Sequence, residues 1–183
     1  MKVTTSRFGV LDVAENDIIK FEDGLLGFEA MKRFFIVDPA DDTLILWMQS
    51  LDSPEVAFPV LEPKIFKSDY KVHLSGNELR CLKIENTKNK DTLVYCILTI
   101  PDDVSKMTAN LKAPIVVNTA SQTGRQVVLQ ENEYSVKYSM YKELLTVIMS
   151  SAGNARVSAE PSNSIAMPLS LRGTISKVEV FAL

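Results

Sequence analysis

Apolar residues in this chain come in short runs broken by turn residues, and that spacing limits the folds open to it. Arg33 to Val37 reads RFFIV and Leu44 to Met48 reads LILWM, with the turn cluster Asp38-Pro39-Ala40-Asp41-Asp42 between them. Runs of this kind, rich in β-branched and aromatic residues and bounded by Asp, Pro or Gly, are strands joined by turns. Val3 to Val10 and Ile18 to Phe21 are further β-type runs, and Val56 to Val60 is another short strand. Pro59 in that strand predicts an edge position or a bulge, because proline cannot donate to a ladder. Leu93 to Ile100 (LVYCILTI) is the most continuous run and is expected to be the central strand. Tyr70, Val72 and Leu74 alternate with Lys71 and His73, the period of a half-buried strand. Ser75 precedes Glu78 by three residues ahead of Leu79 and Leu82, a capping-box spacing that predicts one short helix. Many close-set strands with little helix predict a mainly all-β fold, a compact β-barrel-like domain or sandwich.

The segment from Met107 to Val136 contains two more runs, Ile115 to Val117 and Val127 to Leu129. A polar connector, Asn118 to Gln126, lies between them, and Gly124 is its one residue that takes positive φ cheaply. Pro114 opens the first run, where a missing amide donor does least harm. The expectation is a β-hairpin.

The wording of this hairpin carries more than its pattern. Met107-Thr108-Ala109-Asn110-Leu111, Ala113-Pro114-Ile115-Val116, Asn118 and Gly124-Arg125-Gln126-Val127-Val128-Leu129 resemble the C-terminal core of the flagellar assembly factor FliW family. Gly24-Leu25-Leu26-Gly27-Phe28-Glu29 is similar to that family's GLPGFE turn, with Leu26 where proline is usual. Leu46 to Leu51 (LWMQSL), Pro54 and Ala57-Phe58-Pro59-Val60 resemble its LQSL…P…AFxV block, and Tyr134-Ser135-Val136 closes the match. The blocks run in order from about Arg7 to Tyr138. The resemblance implies a small β-barrel-like fold over residues 1–138. It also implies a cytoplasmic binding protein whose partners are the RNA-binding regulator CsrA and flagellin. Flagellin occupying the factor would free the regulator to repress flagellin synthesis. A flagellin chaperone without regulator binding is the alternative within that resemblance.

Composition agrees with a binding protein. At 183 residues one domain is expected, large enough to fold without staples. The net charge of −3 provides no basic block for phosphate neutralisation, which argues against direct nucleic-acid binding. A single-strand-binding barrel of the OB type would need a basic face with exposed aromatics. An acidic chain can still bind a basic protein that itself binds RNA. No apolar run reaches the ~18 residues of a membrane span, and the N-terminus has no apolar stretch typical of a secretory signal. Cys81 and Cys96 sit in apolar neighbourhoods and read as two buried free thiols of a reducing compartment.

Catalytic groups are scarce. His73 is the single histidine and reads as a surface-facing strand residue. One histidine and two separated cysteines are too few for a zinc site, and neither cysteine has a base nearby in sequence. Gly24 and Gly27 lack phosphate-loop spacing and read as turn glycines. No cofactor or metal is expected, and no enzyme. The candidate partner-binding residues are Met107, Asn110, Leu111, Asn118 and Gln126, with Phe58 and Glu62 from the neighbouring AFPVLEP segment. Asn110 and Asn118 equally suit turn bracing, and Phe58 and Trp47 equally suit a core. The acidic pair Asp41-Asp42 reads as a solvated turn that could steer a basic partner.

Residues 139–183 lie beyond the resemblance and form a C-terminal extension expected to pack on the barrel. Tyr141, Leu144, Leu145, Ile148 and Met149 share one helical face, with Ser139 as N-cap and Gly153 as stop. A small, polar stretch after it reads as a linker, and Val178 and Val180 around Glu179 predict one more strand.

Overall fold

The computed structural model describes residues 1–39, 44–85, 91–130, 133–152 and 180–182. The strands, in chain order, are β1 (Lys2–Thr5), β2 (Gly9–Asp12), β3 (Ile19–Phe21), β4 (Arg33–Val37), β5 (Leu46–Ser50) and β6 (Ala57–Leu61). They continue as β7 (Val72–Leu74), β8 (Thr92–Thr99), β9 (Thr108–Ala109), β10 (Ile115–Asn118), β11 (Thr123–Gln126), β12 (Tyr138–Ser139) and β13 (Val180–Ala182). Two α-helices are described, α1 (Gly76–Cys81) and α2 (Tyr141–Ala152). The mainly all-β, barrel-like expectation holds.

Seven of these strands close on themselves in the order β10-β11-β3-β4-β5-β6-β8, with β8 pairing back to β10. Closure removes the sheet edges that an open sheet would expose. An odd ring cannot alternate direction at every joint, so one neighbouring pair must run parallel. That pair is β11 and β3, with Thr123 beside Lys20 and Gly124 beside Phe21. Every other joint of the ring is antiparallel.

The continuous apolar runs arise because their strands are buried on both faces. Along β8, Leu93, Tyr95 and Ile97 join the barrel interior, while Val94, Cys96 and Leu98 join a second core outside the wall. Along β4, Phe34 and Ile36 point inward, while Phe35 and Val37 meet a third cluster with Val3 and Val13 of the N-terminal segment. Each face keeps the period of two, and the two apolar sets interleave into one run. β8 pairs with β6, β9 and β10, as expected of a central strand. The second core carries Val72 and Leu74 of β7, Tyr70 just before it and Leu82 just after α1, together with Met140 and Leu144 from the start of the extension.

Ser75 and Glu78 form the full capping box at α1: the Ser75 hydroxyl accepts from the Glu78 N–H, and Glu78 accepts from the Ser75 N–H at 2.6 Å. Several boundaries differ from expectation. LILWM becomes β5 two residues later, with Leu44 and Ile45 half-buried against the second core. β6 is not an edge strand, since β5 and β8 flank it. Pro59 is tolerated because the ladder to β8 begins only at Val60.

The hairpin's second strand is Thr123–Gln126, polar in sequence, and not the apolar Val127 to Leu129. Backbone pairing does not require apolar side chains, and here the partner strand supplies the burial. The positive φ of the turn falls on Gln122, at +50°, and not on Gly124. Gly124 is needed for another reason: a Cβ there would run into the Phe21 ring at its Cζ. The Phe21 ring occupies that space and is 1% exposed inside the barrel.

In α2, Leu144 is buried and Tyr141, Leu145 and Ile148 are half-buried, but Met149 is 71% exposed and leaves the predicted face. Ser139 lies in β12, and Met140 takes the N-cap place, its carbonyl accepting from Leu144. β13 runs parallel to β7, with Val180 opposite Val72 and Phe181 opposite His73. The Asp41-Asp42 turn, Gly153, the linker and Val178 lie outside the described residues.

Candidate functional site

The GLLGFE turn, the AFPV strand and the hairpin block meet at one place on the barrel. In the turn, the Phe28 N–H donates to the Leu25 carbonyl at 2.8 Å, and Gly27 takes a φ of +80°. This is the arrangement of a type II turn, in which glycine supplies the positive φ. The turn lifts Leu26 and Phe28 outward, 58% and 37% exposed. Phe28 then packs edge-on against Phe58 of β6, with ring centroids 4.9 Å apart. Phe58 is half-buried and reaches Phe34 in the interior at 6.4 Å, so the exposed ring rests on the core.

A chain of hydrogen bonds ties the turn to the hairpin. Oδ1 of Asn110 accepts from the Ala113 N–H at 3.0 Å, and the Ala113 carbonyl accepts from Nε2 of Gln126 at 3.2 Å. Oε1 of Gln126 then accepts the Leu26 N–H at 2.9 Å. Gln126 is therefore a bracket between two separate segments, and its amide is committed on both ends. Glu62 follows β6 half-buried, close enough to Tyr95 for its charge to act there. Burial pushes the Tyr95 hydroxyl up to about 12, and the Glu62 carboxylate adds to that shift.

The predicted site residues divide into two groups. Asn110, Gln126, Phe58 and Glu62 are half-buried and reach the surface, and Phe28 links Phe58 to the turn that Gln126 holds. Met107, Leu111 and Asn118 are 1%, 0% and 3% exposed, so in this conformation they have almost no surface to offer a partner. Met107 and Leu111 belong to the second core, and Leu111 also offers its carbonyl to the Tyr70 hydroxyl at 2.7 Å. Asn118 clamps turns at the far end of β10. Its Nδ2 donates to the carbonyls of Leu82 and Lys83, and its Oδ1 accepts from Ala120 and Ser121. These four bonds brace the turns on either side of Asn118.

Two surface residues were missed. Leu26 and Phe28 were visible only as parts of a turn motif, and no local pattern distinguishes an apolar turn residue held outward from one folded in. Gln49 of the LQSL block was also missed. It is fully buried and its Nε2 lies 3.0 Å from the carbonyls of both Ser50 and Val56, which shapes the loop leading into β6.

The chemistry for catalysis is sparse among the described residues. No group of three or more His, Cys, Asp or Glu side chains there is placed to hold a metal ion. Both cysteines are free; Cys96 is buried, and burial pushes its thiol well up, against an opposing Tyr70 hydrogen bond. Cys81 is only half-buried, in contrast to the expectation of two buried thiols. No helix among the described residues is long and apolar enough to cross a membrane.

Residues 2–140 match the family model described as FliW protein. This chain belongs to the FliW family. A flagellar assembly factor FliW of Bdellovibrio bacteriovorus is 41% identical over 144 residues, covering 79% of this chain and 81% of the relative. One from Thermoanaerobacter pseudethanolicus is 37% identical over 145 residues, 79% of this chain and 95% of the relative. A crystal structure of the flagellar assembly factor FliW superposes with a TM-score of 0.71 at 33% identity, covering 77% of this chain and 97% of the other. The family match ends at residue 140, where β12 passes into α2. All three converging blocks lie inside it. Leu26, inside the matched region, keeps a backbone N–H, and that N–H is the one that binds Gln126.

Proposed function

We propose that this chain is a cytoplasmic protein-binding factor of flagellar assembly, without catalytic activity, that alternates between a CsrA-type RNA-binding regulator and flagellin. The observation that carries this reading is the convergence of three family blocks on one ledge, where Leu26 and Phe28 stand exposed beside Phe58 and Gln126. Exposed apolar residues braced from beneath by a core are the usual makings of an interface centre. The partner surface is assigned to Phe58, Glu62, Asn110 and Gln126, extended by Leu26 and Phe28. Met107, Leu111 and Asn118 act from below by holding the hairpin that presents it. A net charge of −3 favours a basic partner over direct contact with RNA.

Partner switching needs only that the two proteins bind with mutual exclusion, by shared area or by a coupling of about 1–3 kcal/mol. The extension, residues 139–183, is proposed to pack on the barrel, a reading supported by the burial of Leu144 and Val180. A chaperone that binds flagellin alone is the second reading, since nothing at the ledge selects between two protein partners.

Calorimetric titration with the regulator, with and without saturating flagellin, tests the proposal. Tight regulator binding abolished by flagellin is the expected result. Heat with flagellin but none with the regulator leaves the chaperone reading in its place.

A further inference from the structure

A second surface gathers five of the chain's twenty lysines and arginines. In the lining of a groove of about 410 Å³ beside α1, five cations, Lys20, Lys32, Arg33, Lys83 and Arg125, outnumber two acidic residues, Glu22 and Asp23. It continues into a second groove of about 800 Å³ that shares Lys20 and Arg33. In a chain of net charge −3, this is a local reversal of sign.

Three of the cations are already engaged. Arg125 meets Asp23 at 2.6 Å, Arg33 meets Asp52 at 2.7 Å, and Nζ of Lys32 donates to the Glu22 carbonyl at 2.7 Å. Lys20 and Lys83 are exposed, and among the described residues neither ammonium has an ion pair or hydrogen bond. The backbone beneath is unusual. Lys83 and Gln122 are the non-glycine residues with positive φ among the described residues, at +54° and +50°. Lys83 lines the first groove and Gln122 the second. Lys83 follows α1 at a place where glycine is the cheaper residue, so its side chain is kept there at a cost in backbone strain. Buried Asn118 holds both turns, bonding the Lys83 carbonyl on one side and the Ser121 N–H on the other.

We propose that this groove docks an acidic, extended segment of a protein partner. Its carboxylates meet Lys20 and Lys83 and compete with Asp23 for Arg125. Five cations line the first groove and two of them, Lys20 and Arg33, also border the second, a spread that suits a peptide better than a single small anion. The aromatic in the lining, Phe21, is 1% exposed, so the groove has no platform for stacking bases. This inference stands independently of the regulator and flagellin reading.

The chain carries its own reporter. Cys81 lines the groove half-buried, whereas Cys96 is 0% exposed. The test uses the full chain and a fluorescent Glu-Gly repeat peptide of about ten residues, roughly 33 Å when extended. Binding is followed by anisotropy and by the rate of Cys81 alkylation. The expected result is salt-sensitive binding that slows alkylation and weakens by about tenfold in K20Q/K83Q, but not in K137Q/K142Q. Absence of binding, or equal weakening in both double variants, overturns the proposal. So does inorganic phosphate or an RNA oligonucleotide protecting Cys81 where the peptide does not.

Discussion

The backbone N–H of Leu26 donates to Oε1 of Gln126 at 2.9 Å, joining residues 100 positions apart. Gln126 also donates to the Ala113 carbonyl, so one amide holds a turn and a hairpin together. Gln126→Ala removes both bonds at a half-buried position and should cost about 1–2 kcal/mol, read from urea unfolding. Leu26→Pro removes only one of them. It places proline second in a turn that accepts it there, and restricts the unfolded chain in return. That variant should stay within about 1 kcal/mol of the parent. A larger loss for Leu26→Pro than for Gln126→Ala would show that the turn, and not the bracket, is the sensitive part.

Gly124→Ala places a methyl group against the Phe21 ring, which is locked inside the barrel. Overpacking of this kind costs about 1–3 kcal/mol. Phe21→Leu should remove much of that added penalty, so a double-mutant cycle should show coupling between the two sites. Additive effects in the cycle would contradict the contact.

Asn118→Ala leaves the carbonyls of Leu82 and Lys83 and the N–H groups of Ala120 and Ser121 without their side-chain partner. The expected loss is about 2–4 kcal/mol. Asn118→Asp should be worse, because it turns a carboxylate oxygen toward two carbonyls. Denaturant midpoints of the two variants settle the order.

Leu144 and Met149 belong to the same apolar pattern in sequence, yet they are 1% and 71% exposed. Leu144→Ala should therefore cost about 2–5 kcal/mol and Met149→Ala less than about 0.5 kcal/mol. Comparable thermal shifts for both would mean that α2 packs with a different face.

Stability should fall at both ends of the pH scale through two identified groups. At Asp52, burial acts to raise the carboxyl, but hydrogen bonds from the Lys32 N–H and from Arg33 outweigh it and hold the group below its ordinary value. Its contribution is present at neutral pH and is lost as pH falls below about 4. Tyr95 is raised from 10.0 to about 12. Its contribution is complete below pH 10 and is lost as pH rises toward 12, because the unfolded tyrosine ionises first. Urea midpoints across pH should show Asp52→Asn flattening the acid arm and Tyr95→Phe the alkaline arm.

Local chemistry was enough to read much of this molecule. Short β-rich runs foretold the strands, the spacing of Ser75 and Glu78 foretold α1, and ordered motif blocks foretold the family. These features depend on residues a few positions apart, where steric and hydrogen-bonding preferences act directly. Other features depended on what each segment met in space. RFFIV and LVYCILTI are continuous because two separate cores claim alternate residues of one strand, which no single-face pattern reveals. Thr123–Gln126 became a strand despite its polarity because β10 and β3 supplied partners on both sides. Asn118, Gly124 and Met107 looked like features of one hairpin, and only packing sent them to a clamp, a close contact and a core. Burial and long-range hydrogen bonds are properties of two surfaces, and a sequence lists those surfaces without saying which will meet.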